Sequence, residues 1–476
     1  MPPIGKPQTA TRVNLAHLDH LSEDVLHDGE TVRMVHLYAD APAYQPVGDA
    51  EEGVACVDDV ARAAVVYLRH FETTGDYQSQ GKAEGLLRFV MHMQQDNGLF
   101  HNFVLNNRLQ INRTHLRSRA DAFHWWAARG LWALATGAYM LRDANAAFAR
   151  QCAERARRTV PHLLALLDRY PQTSSHHGRT VPQWLIHGQA ADATSEAMLG
   201  LTMLQRVDPD PTVATLIERF GEGLALMRYG SMNEFPFGAH ASSPGLWHGW
   251  GNSQTQALAE AGLVTLARPE AEHFYPRLLV EGWRHSMTFD EKENTRRFAR
   301  IAYAVRCVAV GLIRLYEATG EDRFAVMAGL AASWLTGNNA AGQPMYDPAT
   351  GRGYDGIDEQ ARVNHNSGAE STIEALYTLV EVERHPAARE WLDATGEPLV
   401  RKTHNGEETL HRIFHSGAGA TGQRVALVMN LAILTGTEYM TGLRTYFHAY
   451  SPLKSSKSGK PSAMWSAGSG KFGTKL

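Results

Sequence analysis

Apolar residues recur at three- and four-residue steps from Val60 to Phe71 and again from Leu86 to Met93, the period of amphipathic helices. Between these runs the pattern breaks at Leu68-Arg69-His70-Phe71-Glu72-Thr73-Thr74-Gly75-Asp76-Tyr77. A near copy returns at Ile313-Arg314-Leu315-Tyr316-Glu317-Ala318-Thr319-Gly320-Glu321-Asp322. Each reads as a helix end, a glycine in the left-handed position after it, and an acid that opens the next helix. Weaker versions at Leu141-Arg142-Asp143, Val207-Asp208-Pro209, Ala267-Arg268-Pro269 and Glu383-Arg384-His385-Pro386 bring the turns to six. One helical pair cannot bury its own apolar face, so six pairs must cover one another. The pattern therefore predicts an all-α chain, an (α/α)6 toroid of six helical hairpins.

Small residues mark helices that crowd together on the inside: Ala61, Ala63 and Ala64; Ala127, Ala128 and Gly130; Ala302 and Ala304. The longer segments 97–121, 229–254 and 338–368 are rich in Gly, Asn, Asp, His and Trp and are expected to line one end of the ring. The toroid is expected over residues 1–398. A short appendage follows at 399–454, where Thr409 to Phe414 and Gln423 to Leu434 fit strands or a further helix. Residues 455–476 are Ser/Gly/Lys-rich and read as a disordered tail.

A formal net charge of -4 over 476 residues gives no pull toward nucleic acid or anionic membranes. No stretch approaches the roughly 18 apolar residues of a membrane span. The three cysteines, Cys56, Cys152 and Cys307, lack metal-ligand spacing and read as reduced thiols of a cytoplasmic protein. No phosphate loop, H-E-x-x-H, DDxxD or G-x-S-x-G motif is present, so no cofactor and no metal are expected. The 23 His, 16 Tyr and 10 Trp suit a saccharide, whose flat C–H faces stack on aromatic rings.

Candidate chemistry gathers before the predicted inner helices. Asp58 and Asp59 open the first, with Arg62 one turn on; Asp58 can also cap the helix and pair with Arg62. Ser367-x-x-Glu370 can form a capping box, yet Asn364, His365 and Asn366 exceed capping needs. The loop before them adds Tyr354 and Asp355. Trp247, His248, Trp250, Asn252 and Gln254 lie between glycines at another helix start, as a sugar platform would. Asp121, Trp125 and Arg129 share one helical face. Asp192 to Glu196 is an acidic helix start.

Val57-Asp58-Asp59-Val60-Ala61-Arg62-Ala63 resembles the T-D-D-N-A-R-A signature of a six-hairpin glycosidase-like helical module found beside bacterial glycosyltransferases. Asn364-His365-Asn366-Ser367-Gly368-Ala369-Glu370-Ser371-Thr372 is similar to its later signature, N-x-N-Q-G-A-E-S-T, and Arg129 to Leu134 to its R-A-L-W-A-L segment. Val60 replaces the usual Asn, and Ser367 the usual Gln. The resemblance spans roughly residues 50 to 385. It implies the toroid, a sugar context and a glycosyltransferase partner.

These readings converge on an inverting glycoside hydrolase acting on an oligo- or polysaccharide. Glu370 is the expected general acid and Asp59, or Asp58, the base that activates water. Trp125, Trp247, Trp250 and Tyr354 would stack on sugar rings; Arg62, Asn252, Gln254, Asn364, His365 and Asn366 would bind hydroxyls. Two alternatives stand beside it. One is a polysaccharide lyase or sugar epimerase using His248 or His365 with a tyrosine. The other is a non-catalytic carbohydrate-binding or scaffold module for a glycosyltransferase.

Overall fold

A computed structural model describes residues 11–232, 234–289, 294–404, 407–417, 423–430 and 444–446. The tail expected at 455–476 and much of the appendage lie outside the described residues.

Twelve helices form six pairs. They are α1 (Val57–Thr74) with α2 (Tyr77–Met93), α3 (Trp125–Met140) with α4 (Ala146–Arg157), and α5 (Ala191–Val207) with α6 (Pro211–Leu226). Then follow α7 (Gln254–Glu260) with α8 (Val264–His273), α9 (Ala302–Thr319) with α10 (Asp322–Ala332), and α11 (Ala369–Glu383) with α12 (Pro386–Arg389). Each odd-numbered helix packs against the next, and α11 packs against α1, closing a ring. Each even-numbered helix lies against its own partner and returns the chain.

The two matching turns fold alike. Gly75 and Gly320 have φ of 73° and 70°, and their N–H groups donate to Phe71 and Tyr316 at 2.7 and 2.8 Å. Asp76 then caps α2 by accepting from Gln78 and Ser79. The turns at Leu141, Val207 and Glu383 also fall between paired helices. Ala267-Arg268-Pro269 does not: it lies inside α8, and the chain reverses earlier, at Gly262 with φ of 80°. The proline removes one helical hydrogen bond but ends no helix there. Small residues admit close approach, as expected. A Cβ on Gly200 of α5 would stand 2.9 Å from the Trp132 backbone nitrogen of α3.

The all-α expectation is corrected by strands in the connections and after the ring. A hairpin of Ser22–His27 and Glu30–Val35 covers α2. Leu246–His248, Ser286–Thr288 and Asn294–Arg296 form a small antiparallel sheet. The appendage strands Val400–His404, Glu407–His415, Arg424–Asn430 and Arg444–Tyr446 form one antiparallel sheet with Thr395–Gly396, which lies before the expected boundary at 398. Val425, Leu427 and Met429 alternate inward, so a period of two decides for strand over helix. This sheet packs on a helix at Tyr275–Glu281. No described helix is long and apolar enough to cross a membrane.

Candidate active site

Because each outer helix returns the chain, the inner helices run parallel and their N-termini gather at one mouth of the ring. The helix dipole makes that mouth favourable for carboxylates. Asp58, Asp59, Asp192 and Glu370 all stand in first turns there. A cavity of about 460 Å³ opens at the mouth. Its walls include Tyr38 and Asp40 from the N-terminal segment, Tyr303 from α9, Asp355 and Asn366 from the loop before α11, and Glu370 itself.

The backbone around Glu370 is pinned from two sides. Leu37 and Ala39 accept hydrogen bonds from the N–H groups of Ala369 and Ser367, both at 3.0 Å. A Cβ on Gly368 would meet the Leu37 carbonyl at 2.7 Å, so glycine allows that contact. The expected capping box does not form. The cap is Gly368, with no side-chain cap bond, while Ser367 donates to the Gly353 carbonyl at 2.8 Å. Glu370 is thereby free of capping duty and half-exposed, at 51%.

Beneath the cavity lies a layer of buried charge across the ring axis. Arg62 reaches Asp59 at 2.7 Å and Glu370 at 3.4 Å with one nitrogen, and pairs with Glu374 through another. Arg306 of α9 holds Glu374 at 2.6 Å. Arg129 of α3 pairs with Asp58 and holds Glu196 at 2.9 Å. The Tyr303 hydroxyl donates to Glu196 at 3.0 Å, and its ring lies under the Arg62 guanidinium at 4.6 Å. Although half of the Glu370 side chain faces the cavity, the protein packed around its carboxyl desolvates it and raises its pKa, Asp59 and Glu374 add to the rise, Arg62 and Arg129 oppose it, and the carboxyl ends at about 7. Asp355, held by the Ser371 hydroxyl at 2.7 Å, is also raised, by burial first and by Asp40. Burial likewise raises Asp59 against the pull of Arg62.

This geometry redistributes the expected roles. Asp58 does not cap α1, which Cys56 does, and its partner is Arg129 rather than Arg62. Asp59 is buried and locked to Arg62. Asp59 and Glu370 each set one oxygen on the same Arg62 nitrogen, at 2.7 and 3.4 Å, so the two carboxylates are bridged by that guanidinium. Trp247 is corrected from sugar platform to core: it is 2% exposed and packs edge-on against Phe274. Asn252 and Gln254 are also buried, donating to the carbonyls of His240 and Ala241, which ties the helix start to its loop and leaves them no face for a sugar.

Other residues stay at the mouth. His248 stacks on Trp250 at 4.2 Å, donates from Nδ1 to the Trp250 carbonyl, and points Nε2 at Asp192, 3.5 Å away. The Trp125 indole N–H donates to the same Asp192 at 2.9 Å. Asp121 is solvent-exposed and bound to His124 at 2.8 Å, outside the described cavity walls. Asn364 is exposed and accepts from the Asn366 N–H, Asn366 accepts from the Ala41 N–H, and His365 sets its ring against Tyr354 at 4.8 Å. The sequence reading missed Glu374, Arg306 and Tyr303. Glu374 lies one turn from Glu370 on the same face, which is the signal that could have found it. Among the described residues, no group of three or more His, Cys, Asp or Glu side chains is arranged to hold a metal ion.

No family profile matches this chain, and no curated protein matches it. Solved structures do share its fold. Cellobiose 2-epimerase from Bacillus thermoamylovorans B4167 is 12% identical with a TM-score of 0.53, over 78% of this chain and 96% of that one. Cellobiose 2-epimerase from Spirochaeta thermophila DSM 6192 is 14% identical with a TM-score of 0.51, over 74% and 90%. A sugar epimerase from a ruminal bacterium is 13% identical with a TM-score of 0.51, over 75% and 94%. At these identities the likeness defines a class of helical fold, and the chemistry of the site lies in its own residues.

Proposed function

We propose that this chain is an (α/α)6 toroid enzyme that cleaves a saccharide, with Glu370 as the proton donor. The carrying observation is Glu370 in a cavity wall with its pKa raised to about 7. Such a carboxyl keeps its proton near neutral pH and can give it to a leaving glycosidic oxygen.

The second carboxylate moves from Asp59 to Asp355. Asp355 lines the same cavity, whereas Asp59 is engaged by Arg62 and acts on Glu370 through it. Asp58 is likewise engaged by Arg129. Inversion then requires Glu370 and Asp355 to flank the bond at roughly 6.5–9.5 Å. Trp250, Tyr354, His365 and Asn366 are the proposed saccharide contacts. Residues 1–398 form the proposed catalytic unit, with a glycosyltransferase as partner. Cys56, Cys152 and Cys307 are buried free thiols, which suits the reducing cytoplasm.

The test is a panel of oligosaccharides incubated with wild type and Glu370→Gln, read by product chromatography. Loss of about 10²-fold or more in kcat, with an unchanged fold by circular dichroism, is expected. Near-normal turnover in Glu370→Gln removes the assignment.

Sugar epimerisation is the second reading. It draws on His248, whose ring is fixed by Trp250 with Nε2 toward Asp192, a base-like arrangement at the same mouth. The epimerases that share the fold fit this reading. Conversion of a reducing-end sugar without cleavage, abolished by His248→Gln and spared by Glu370→Gln, would decide for it.

A further inference from the structure

Away from the mouth, a second cavity of about 170 Å³ lies at the seam between the ring and the C-terminal sheet. Arg300, Arg412, Asn338, Asn339 and Glu281 supply its polar walls. Glu281 is already engaged, by Arg277 at 2.9 Å and Arg284 at 2.6 Å. Arg300 and Arg412 have no carboxylate partner among the described residues. Arg412 donates from Nη1 to the Leu279 and Val280 carbonyls at 3.0 and 3.5 Å, while its buried Nε has no hydrogen-bond partner. Among the described residues Arg300 donates only from Nε, to the Arg297 carbonyl at 3.3 Å.

Among the described residues the one carboxylate in these walls, Glu281, is already paired with two other arginines, and two like charges facing one cavity beside it are costly to bury. Burial, then Arg297 and Arg412, lowers the Arg300 pKa, and burial lowers that of Arg412. A Cβ on Gly396 would stand 2.9 Å from Arg412 Nε and Nη2, so glycine there admits the guanidinium. We infer that this seam cavity binds a phosphate group, with Arg300 and Arg412 as its two cationic ligands. Two guanidiniums match the double charge of a phosphate better than the single charge of a carboxylate. The volume is below the roughly 300–1,000 Å³ of sites for drug-sized ligands, so the cavity takes the phosphate and little beyond it.

The position gives the site a line to the active mouth. The Arg300 backbone exchanges two 3.0 Å hydrogen bonds with Ile357, two residues from Asp355, and the next residue, Ile301, lines the large cavity. Phosphate bound at Arg300 thus bears on the loop that carries Asp355.

Calorimetric titration of the whole chain with inorganic phosphate, glucose 6-phosphate and acetate at matched ionic strength tests the assignment. Saturable binding of either phosphate compound, with acetate at least about tenfold weaker, is the expected result. The two phosphate arms separate free phosphate from a sugar phosphate as the source. Arg300→Gln should weaken phosphate about tenfold or more. It keeps the Arg412 contacts that tie sheet to ring, so a folding defect in Arg412→Gln would not obscure the answer. Absence of phosphate binding, acetate binding as tight as phosphate, or full affinity in Arg300→Gln overturns the proposal.

Discussion

Glu370 carries a consequence for pH at the residue scale. Its folded pKa of about 7 lies above the ordinary 4.5. The folded state therefore holds the extra proton, and ionising it weighs against folding. That penalty is absent below 4.5 and complete above about 7. The melting temperature of Glu370→Gln should accordingly gain on wild type as pH rises through this window and level off above it. Thermal melts across the window check this, and a constant gap would contradict the shift. A neighbour gives a second check. The Asp59 charge pushes the Glu370 pKa up, and its removal also frees Arg62 to pull it down. Asp59→Asn should therefore move the alkaline limb of the kcat/KM profile to lower pH. At this scale Glu370 was legible because three polar residues precede it. Its partners were hidden, since Arg62 finds Glu374 across 312 residues of sequence and local spacing cannot show such a pair.

Elements were the most legible level. The repeated Thr-Gly-acid turns at Gly75 and Gly320 fixed the helical pair as the unit, because a left-handed residue has one cheap solution. Ala267-Arg268-Pro269 misled because a proline lies within α8, so its presence marked no boundary. The C-terminal strands were ambiguous until the sheet gave their alternation a buried face. Inner helices tolerate little added volume. A methyl group at Gly200 would stand 2.6 Å from Leu131 Cγ and 2.9 Å from the Trp132 nitrogen. Gly200→Ala should lower stability by about 1–3 kcal/mol, measured by urea unfolding. A neutral result would mean that α3 and α5 can separate.

Across the whole molecule, the ring is filled by charge as well as by apolar side chains. Below the layer of Arg62, Glu196 and Glu374 runs a second one, where Arg69 and Arg314 share Glu381 at 3.1 and 2.8 Å and Arg314 also holds Glu260 at 2.8 Å. Arg62 and Arg69 are seven residues apart on α1, and Glu374 and Glu381 are seven apart on α11, so two helical turns stack one ionic layer on the other. Removing one partner leaves a buried charge exposed to nothing. Glu374→Gln should cost about 3–5 kcal/mol, since it strips both Arg62 and Arg306 of a carboxylate. Chemical denaturation gives the value, and a loss below about 1 kcal/mol would show that water screens the layer.

The closure of α11 onto α1 dictates an order of synthesis. Arg62 and Arg69 leave the ribosome some three hundred residues before Glu374 and Glu381, their partners across the closure, arrive. Until then the first helix has an unsatisfied flank, and every shorter nascent chain is an open arc rather than a smaller ring. A gene cut between α10 and α11 should thus yield two insoluble fragments that regain a soluble whole only when made in the same cell.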